Sequence, residues 1–296
     1  MNKLVLIDGN AILHRAFHAL PPLTTKEGEP ISAVYGLISM LLKVIQDLKP
    51  THIAVCFDEK EPTFRHKAFA NYQAQRPPMV DDLSSQFEKA RRVLQAFGIP
   101  VYSKPGFEAD DVIGTITQQV EDDVVIVTGD RDILQLVNKR VKVYLPLAGL
   151  STAKLMGEGD VIEKMGVRPD QIDDYKALVG DASDNYPGVS GIGPKGAINL
   201  LEKYGTLDGI YKNLDSIAEG VAKKLKDGSE AAKLSKHLAT IVKDVPVSLD
   251  IASAGRWDVD GKKALDLFAE FGFKTLTERV KKVGRELDQE KQMSLI

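Results

Sequence analysis

Three runs of unbroken apolar residues, LVLI at 4–7, IAVCF at 53–57 and VVIVT at 124–128, each give way at once or within a few residues to an acid: Asp8, Asp58 and Asp130. A strand that is apolar on both faces belongs in a parallel sheet covered by helices, because a sheet with one wet face alternates apolar and polar residues. Segments of helical character separate the runs, at about 9–20, 31–48, 83–97 and 108–120. IPVY at 99–102 and VKVYL at 141–145 read as further strands, with a short helix at 133–137. The pattern predicts an α/β fold with a mainly parallel sheet and helices on both faces. Ligands of such sheets bind beyond the carboxyl ends of the strands, where these three acids fall. Any one of them would also suit a helix N-cap, a position Asp favours. Three in succession point to a shared cleft.

Six more carboxylates extend the pattern. EADD supplies Glu108, Asp110 and Asp111; GDRD supplies Asp130 and Asp132; GDASD supplies Asp181 and Asp184. Asp111 lies three residues beyond Glu108, so the two share a helix face while Asp110 points partly away. Asp130 and Asp132 point the same way if the backbone is extended. Gathered in one cleft, such acids repel and their pKa values rise unless cations neutralise them. Oxygen-only groups without His or Cys suit Mg²⁺, or Mn²⁺ in its place, rather than Zn²⁺. Five segments supplying them fit two ions and the hydrolysis of phosphodiesters.

Beyond about residue 160 the pattern turns helical, at 158–166, 170–180, 195–204, 207–213, 230–243, 261–271 and 274–285. The expected division is a catalytic domain at 1–165, a helical domain at 166–285 and a flexible tail at 286–296. Within the helical part, GVSGIGPKGAINLL places Gly191 and Gly193 in a tight hairpin and Pro194 at the first position of the next helix. The free N–H groups of that helix start, with Lys195, would grip a phosphate of duplex backbone. An ordinary glycine turn between helices is the plainer alternative.

The 296 residues carry a net charge of −3. Taking nine negative charges out of that sum leaves +6, an acidic pocket in a mildly basic body. Cys56 is the single cysteine, which excludes an internal disulfide, and no stretch is long and apolar enough to span a membrane. A cytoplasmic protein is the expectation. FRHKAFANYQAQR at 64–76 interleaves Arg65, His66, Lys67 and Arg76 with Phe64, Phe69 and Tyr72. Such a segment binds phosphates and stacks on unpaired bases, or forms a solvated amphipathic helix. Arg15 follows the first strand and is also expected to face the site.

These motifs together resemble the 5′-nuclease of the bacterial DNA polymerase I family and its flap-endonuclease relatives. DGNAILHRAF, AVYGL, FD at 57–58, FRHKAF, GFEADDVIG, VTGDRDILQL and ALVGDASDNYPGVSGIGPKGA occur in the family order, over about residues 3–285. The resemblance implies a resolvase-like (PIN-like) catalytic domain, a helical arch at about 60–100 and a helix-three-turn-helix module. It implies Mg²⁺-dependent cleavage near the junction of a 5′ flap and duplex, as exonuclease and endonuclease. It assigns one ion to Asp8, Asp58, Glu108, Asp110 and Asp111, a second to Asp130, Asp132, Asp181 and Asp184, and K⁺ to the hairpin. Arg15, Lys67 and Arg76 would steer the phosphate, and Arg65, Tyr72, Gln73, Gly191, Gly193 and Lys195 would contact DNA.

The chain departs from the family at YKAxR, where it has Tyr72-Gln73-Ala74-Gln75-Arg76. Gln73 carries no charge, so either Lys67 or Arg76 substitutes or turnover falls. A junction-binding protein with attenuated catalysis is therefore the alternative function, and an RNA-directed nuclease of similar fold is a third. No polymerase segment follows, so the chain reads as a fragment or a free-standing nuclease. Gln292, Met293, Leu295 and Ile296 resemble the short peptide that docks into the bacterial sliding clamp, which would argue for a complete protein; an unstructured tail is the alternative. A monomer is expected.

Overall fold

The strand that ends in Asp8 lies near the middle of a six-stranded sheet. The computed structural model describes residues 2–148 and 152–293. The strands are β1 (Lys3–Asp8), β2 (His52–Cys56), β3 (Val101–Tyr102), β4 (Asp123–Val127), β5 (Val141–Ala148) and β6 (Thr152–Met156), in the spatial order β3-β2-β1-β4-β5-β6. All neighbours are parallel except β5 and β6. The order reverses direction between β1 and β4, and a crevice opens at the carboxyl ends there.

The helices in chain order are α1 (Gly9–Ala19), α2 (Ser32–Leu48), α3 (Phe64–Ala68), α4 (Asp81–Ala96), α5 (Ala109–Gln119), α6 (Glu158–Met165), α7 (Ile172–Val179), α8 (Pro194–Tyr204), α9 (Leu207–Lys212), α10 (Glu219–Asp227), α11 (Ser229–Ala239), α12 (Ile251–Ala254), α13 (Lys262–Phe271) and α14 (Lys274–Met293). A 3₁₀ turn, Asp132–Leu136, stands where a short helix was expected. Alternate residues of the central strands feed two separate cores. Val5, Ile7, Ile53, Val55, Val125 and Val127 pack with α2, α4, α13 and α14. Leu4, Leu6, Ala54, Cys56, Val124 and Ile126 pack with α5 and the helices from α7 to α11. This two-sided burial is why the runs are unbroken in the sequence.

Four expectations change. β6 was not anticipated, because most of its residues are exposed or half-buried and offer no continuous apolar run. The segment crossing the cleft is shorter than the expected arch at 60–100: Leu83, Ala90, Val93 and Leu94 seat α4 in the first core, so the crossing ends near 80. The helical part is not one module over 166–285, since Phe268, Leu276, Val280 and Val283 return α13 and α14 to that same core. The stretch expected as a flexible tail from 286 is helical through Met293; it continues α14, and Lys49 pairs with Glu290 at 2.5 Å. Gln292 and Met293 are exposed at its end, while Leu295 and Ile296 lie outside the described residues. Among the described residues no helix is long and apolar enough to cross a membrane.

Candidate functional site

Asp8 closes β1 and starts α1 in one step. Its Oδ1 accepts from the Ala11 N–H at 2.9 Å and its Oδ2 from Thr128 Oγ1 at 2.7 Å, across the strand-order reversal. Gly9 makes the step possible: a Cβ there would sit 2.4 Å from the Phe57 ring. Asp58 follows β2, and its Oδ1 accepts from the Ala109 N–H at 2.7 Å, at the electropositive start of α5. Its own N–H donates to Asn10 Oδ1 at 3.0 Å. After β4, Thr128 orients Asp130 and Asp130 Oδ1 accepts from the Asp132 N–H at 2.8 Å. The acids thus do serve as caps and turn acceptors, and the same geometry turns them into one crevice.

Asp8, Asp58, Glu108, Asp110, Asp130, Asp132 and Asp184 line one cavity of about 520 Å³. Asp181 lines a neighbouring open cavity of about 710 Å³ that shares Asp130 and Asp132, together with Arg15, Arg76, Arg131 and Lys176. Carboxylate oxygens of Asp132, Asp181 and Asp184 lie within 4.8 Å of one another. The crowding shows in the titration of the acids. Burial, then the charges of Asp58 and Asp130, push Asp8 up to about 7 against the pull of the Ala11 N–H and Thr128. Burial pushes Glu108 up to about 7 despite Arg65 beside it. Asp110 is raised well above the carboxylate range by burial and by Asp130, Asp8 and Asp132. Asp132 rises to about 6 through burial, with Lys176 opposing. At Asp181 burial pushes up, but the same lysine and the hydrogen bonds from Ser183 together bring the pKa down. Converging oxygen donors, with Asp8, Glu108, Asp110 and Asp132 pushed by burial toward the protonated form, fit hard divalent cations, which would draw on Asp8, Asp58, Glu108, Asp110, Asp130, Asp132, Asp181 and Asp184.

Several assignments made from the sequence do not survive the geometry. Asp111 is fully buried and its oxygens are taken: Arg65 grips it at 2.7 and 2.8 Å, and the Val242 and Glu108 N–H groups donate at 2.9 and 3.0 Å. It is the counterion of a buried strut rather than an ion ligand. Arg65 is likewise unavailable to DNA, since its Nε donates to Leu238 O at 2.8 Å and Nη2 to Thr240 O at 3.0 Å. Tyr72 is buried, edge-on to His66, with its hydroxyl 3.3 Å from Glu108 Oε2, so its ring offers no stacking face. Lys67 is exposed and lines neither acidic cavity. The cleft is not free of imidazole either, because His14 and His66 line it; His66 Nδ1 is engaged by Thr63 Oγ1 at 2.9 Å.

Gln73 and Arg76 reach the site from the crossing segment. Gln73 Nε2 donates to Asp184 Oδ1 at 3.0 Å and Arg76 Nη2 to the same oxygen at 2.6 Å. Gln73 adopts φ +53°, a conformation that costs a non-glycine residue about 1 kcal/mol or more. In the hairpin, Gly191 has φ +77°, Gly193 caps α8 and Lys195 is exposed. Lys224 Nζ donates to Gly191 O at 3.2 Å, so an ammonium already meets the hairpin where K⁺ was expected. Lys176 and Tyr186, beside the second acid group, were missed. Both stand next to motif residues, in KALVGDASD and DNYPG, and only the fold turns them inward.

A mainly parallel sheet with its acids at the strand-order reversal, followed by a helical module with a glycine hairpin, defines a resolvase-like α/β domain joined to a helical domain. Two family models match in the same order: the 5′-3′ exonuclease N-terminal resolvase-like domain over residues 3–166 and the 5′-3′ exonuclease C-terminal SAM fold over 167–263. The chain belongs to the 5′-3′ exonuclease family. It is 43% identical over 283 residues to DNA polymerase I of Caldicellulosiruptor bescii, covering 94% of this chain and 33% of that protein. With DNA polymerase I of Bacillus subtilis it shares 39% over 298 residues, 98% of this chain and 34% of the relative. The chain thus spans about a third of the length of these curated relatives. Its fold resembles the bacteriophage T5 D15 flap endonuclease, solved with DNA and metal ions, at a TM-score of 0.67 and 19% identity, over 95% of this chain and 98% of that one. Human GEN1, solved with Holliday junction DNA, matches at 0.60 and 14%, over 95% and 71%.

Proposed function

We propose that this chain is a structure-specific 5′ nuclease, cutting DNA near the junction of a 5′ flap and duplex and trimming 5′ ends, in replication and repair. The observation that supports it is the carboxylate-lined cavity of about 520 Å³ at the strand-order reversal, roofed by a segment that carries Arg76. Two divalent cations, Mg²⁺ or Mn²⁺ in its place, would be held by those acids and would supply charge stabilisation to an attacking water and a leaving 3′ oxygen. The chain's own residues do the rest. Asp8, Asp58 and Asp130 are fixed by backbone N–H groups and Thr128, so the negative wall is preorganised. Arg76 and Arg15 face the cavity from which a phosphate would approach. The hairpin at Gly191 and Gly193, with Lys195, holds duplex backbone without reading sequence. The protein acts as a monomer away from membranes, and Gln292 and Met293 at the end of α14 are available to a sliding clamp.

A labelled 5′-flap duplex, its RNA counterpart, and Mg²⁺ present or chelated test the reading with wild type and Asp130→Ala. Mg²⁺-dependent cutting of the DNA flap by wild type is expected, with Asp130→Ala binding the flap but leaving it whole. Full Mg²⁺-dependent cleavage by that variant defeats the ion assignment. A second reading, a junction binder of attenuated activity, draws support from Gln73, which spends its amide on Asp184 and brings no charge. Tight flap binding by wild type with negligible cutting would favour it.

A further inference from the structure

The second acid group already contains a cation of the protein's own. Lys176, buried in the last turn of α7, donates from Nζ to Asp132 Oδ1 and to Asp181 Oδ2. Those two carboxylates and Asp184 are the group whose oxygens lie within 4.8 Å of one another. Arg76 takes Asp184. We propose that Lys176 is a built-in placeholder for the second divalent cation: its ammonium neutralises Asp132 and Asp181 until an ion displaces it, and it thereby sets that ion's affinity. The inference rests on the proposed metal-dependent function and adds a residue that controls it.

Three features make displacement the expected behaviour. The loop bearing Asp181 and Asp184 is rigid. Asp181 and Tyr186 exchange backbone bonds at 2.9 and 3.0 Å, and Gly180 and Gly188 pack back to back with φ +74° and +63°. A Cβ on Gly188 would lie 2.2 Å from Gly180 N, so the loop has little room to adjust. The lysine side chain, four methylenes on a fixed helix, is the part that yields. It also has somewhere to go, because Lys176 lines the open cavity of about 710 Å³ with Arg15 and Arg131. Once displaced, its charge joins theirs on the side from which a phosphate would come. Finally, the Tyr186 hydroxyl is buried with no hydrogen-bond partner among the described residues, beside Lys176, Asp132, Asp181 and Asp184. An unpaired buried hydroxyl disfavours the lysine-bound arrangement. A carboxylate released from Nζ offers it an acceptor.

Calorimetric titration with Mn²⁺, alongside melting of the chelated protein, tests this on the full chain. Lys176→Met should bind the weaker of two Mn²⁺ ions at least about tenfold more tightly than wild type, while melting lower when chelated. Lys176→Arg keeps the charge and should restore the chelated melting temperature without the gain in affinity. Should Lys176→Met not fold, Tyr186→Phe decides in its place, because the phenyl ring offers no hydroxyl to the released acid. A weaker second Mn²⁺ in that variant supports the placeholder role, and an unchanged one overturns it. Unchanged or weaker binding in Lys176→Met, or equal gains in Met and Arg, overturns the placeholder role and leaves the metal-dependent reading intact. No Mn²⁺ binding by any form, wild type included, overturns both.

Discussion

The metal-free protein should lose stability as the pH rises from acid to neutral. Asp8 is displaced from an ordinary 3.8 to about 7, mainly by burial. A carboxyl raised in the folded state contributes its stability below the unfolded value, and that contribution is lost as the pH climbs through the folded value. At about 1.4 kcal/mol per pH unit, Asp8 alone accounts for ~4 kcal/mol between those limits. For a protein of this size that corresponds to a fall in melting temperature on the order of 10 °C. Glu108, raised to about 7, and Asp132, raised to about 6, act in the same direction. Scanning calorimetry of the chelated protein from about pH 5 to 8 reads the slope, and saturating Mg²⁺ should abolish most of it. Asp8→Asn keeps an acceptor for the Ala11 N–H, since Asn caps helices as well as Asp, and removes the charge. That variant should flatten the chelated curve. A chelated melting temperature that is level or rising over this range, or a slope unaltered by Asp8→Asn, refutes the idea that these acids share a desolvated crevice.

Arg65→Met should destabilise the fold by about 3–5 kcal/mol in urea unfolding, because it strands the buried Asp111 charge, and Asp111→Leu in the same chain should recover part of that loss. Gln73→Lys should raise flap cleavage at saturating Mg²⁺ by about tenfold or more, a transition-state effect of one added cation, measured as single-turnover rate. Lys224→Met should make duplex binding depend on K⁺ over larger monovalent ions, by exposing the Gly191 carbonyl that Lys224 now occupies; equal binding in both salts would count against that substitution of ammonium for K⁺.

Much of the architecture could be read before any coordinates, for a physical reason. Val5 and Leu6 point to opposite sides of the sheet and both are buried, so the double core writes itself into the chain as an unbroken run. β6 writes nothing, because its exposed edge asks only for backbone pairing. The acids were equally visible as types, yet their fates diverge by contact. Asp110 and Asp111 are neighbours on α5; one faces the cavity and the other is consumed by Arg65. No spacing rule separates them, since the partner comes from residue 65 and the wall behind it from 238–242. Lys176 escaped notice for the same reason: a lysine five residues before an acid reads as solvated surface until α7 is docked with its last turn over the crevice.

The Arg65 strut and the seating of α4 also decide how the roof over the crevice behaves. One post is sunk between Asp111 and the carbonyls of Leu238 and Thr240, the other in the first core from Leu83 onward. Between them runs a strap, residues 66–82, fastened where Gln73 and Arg76 meet Asp184, where Asn185 meets Asn71 O, and where the buried Tyr72 packs with Tyr186, Leu238 and Ala239. Releasing those contacts together frees the span while both posts stand. The roof could therefore open without any part of the sheet or its helices giving way.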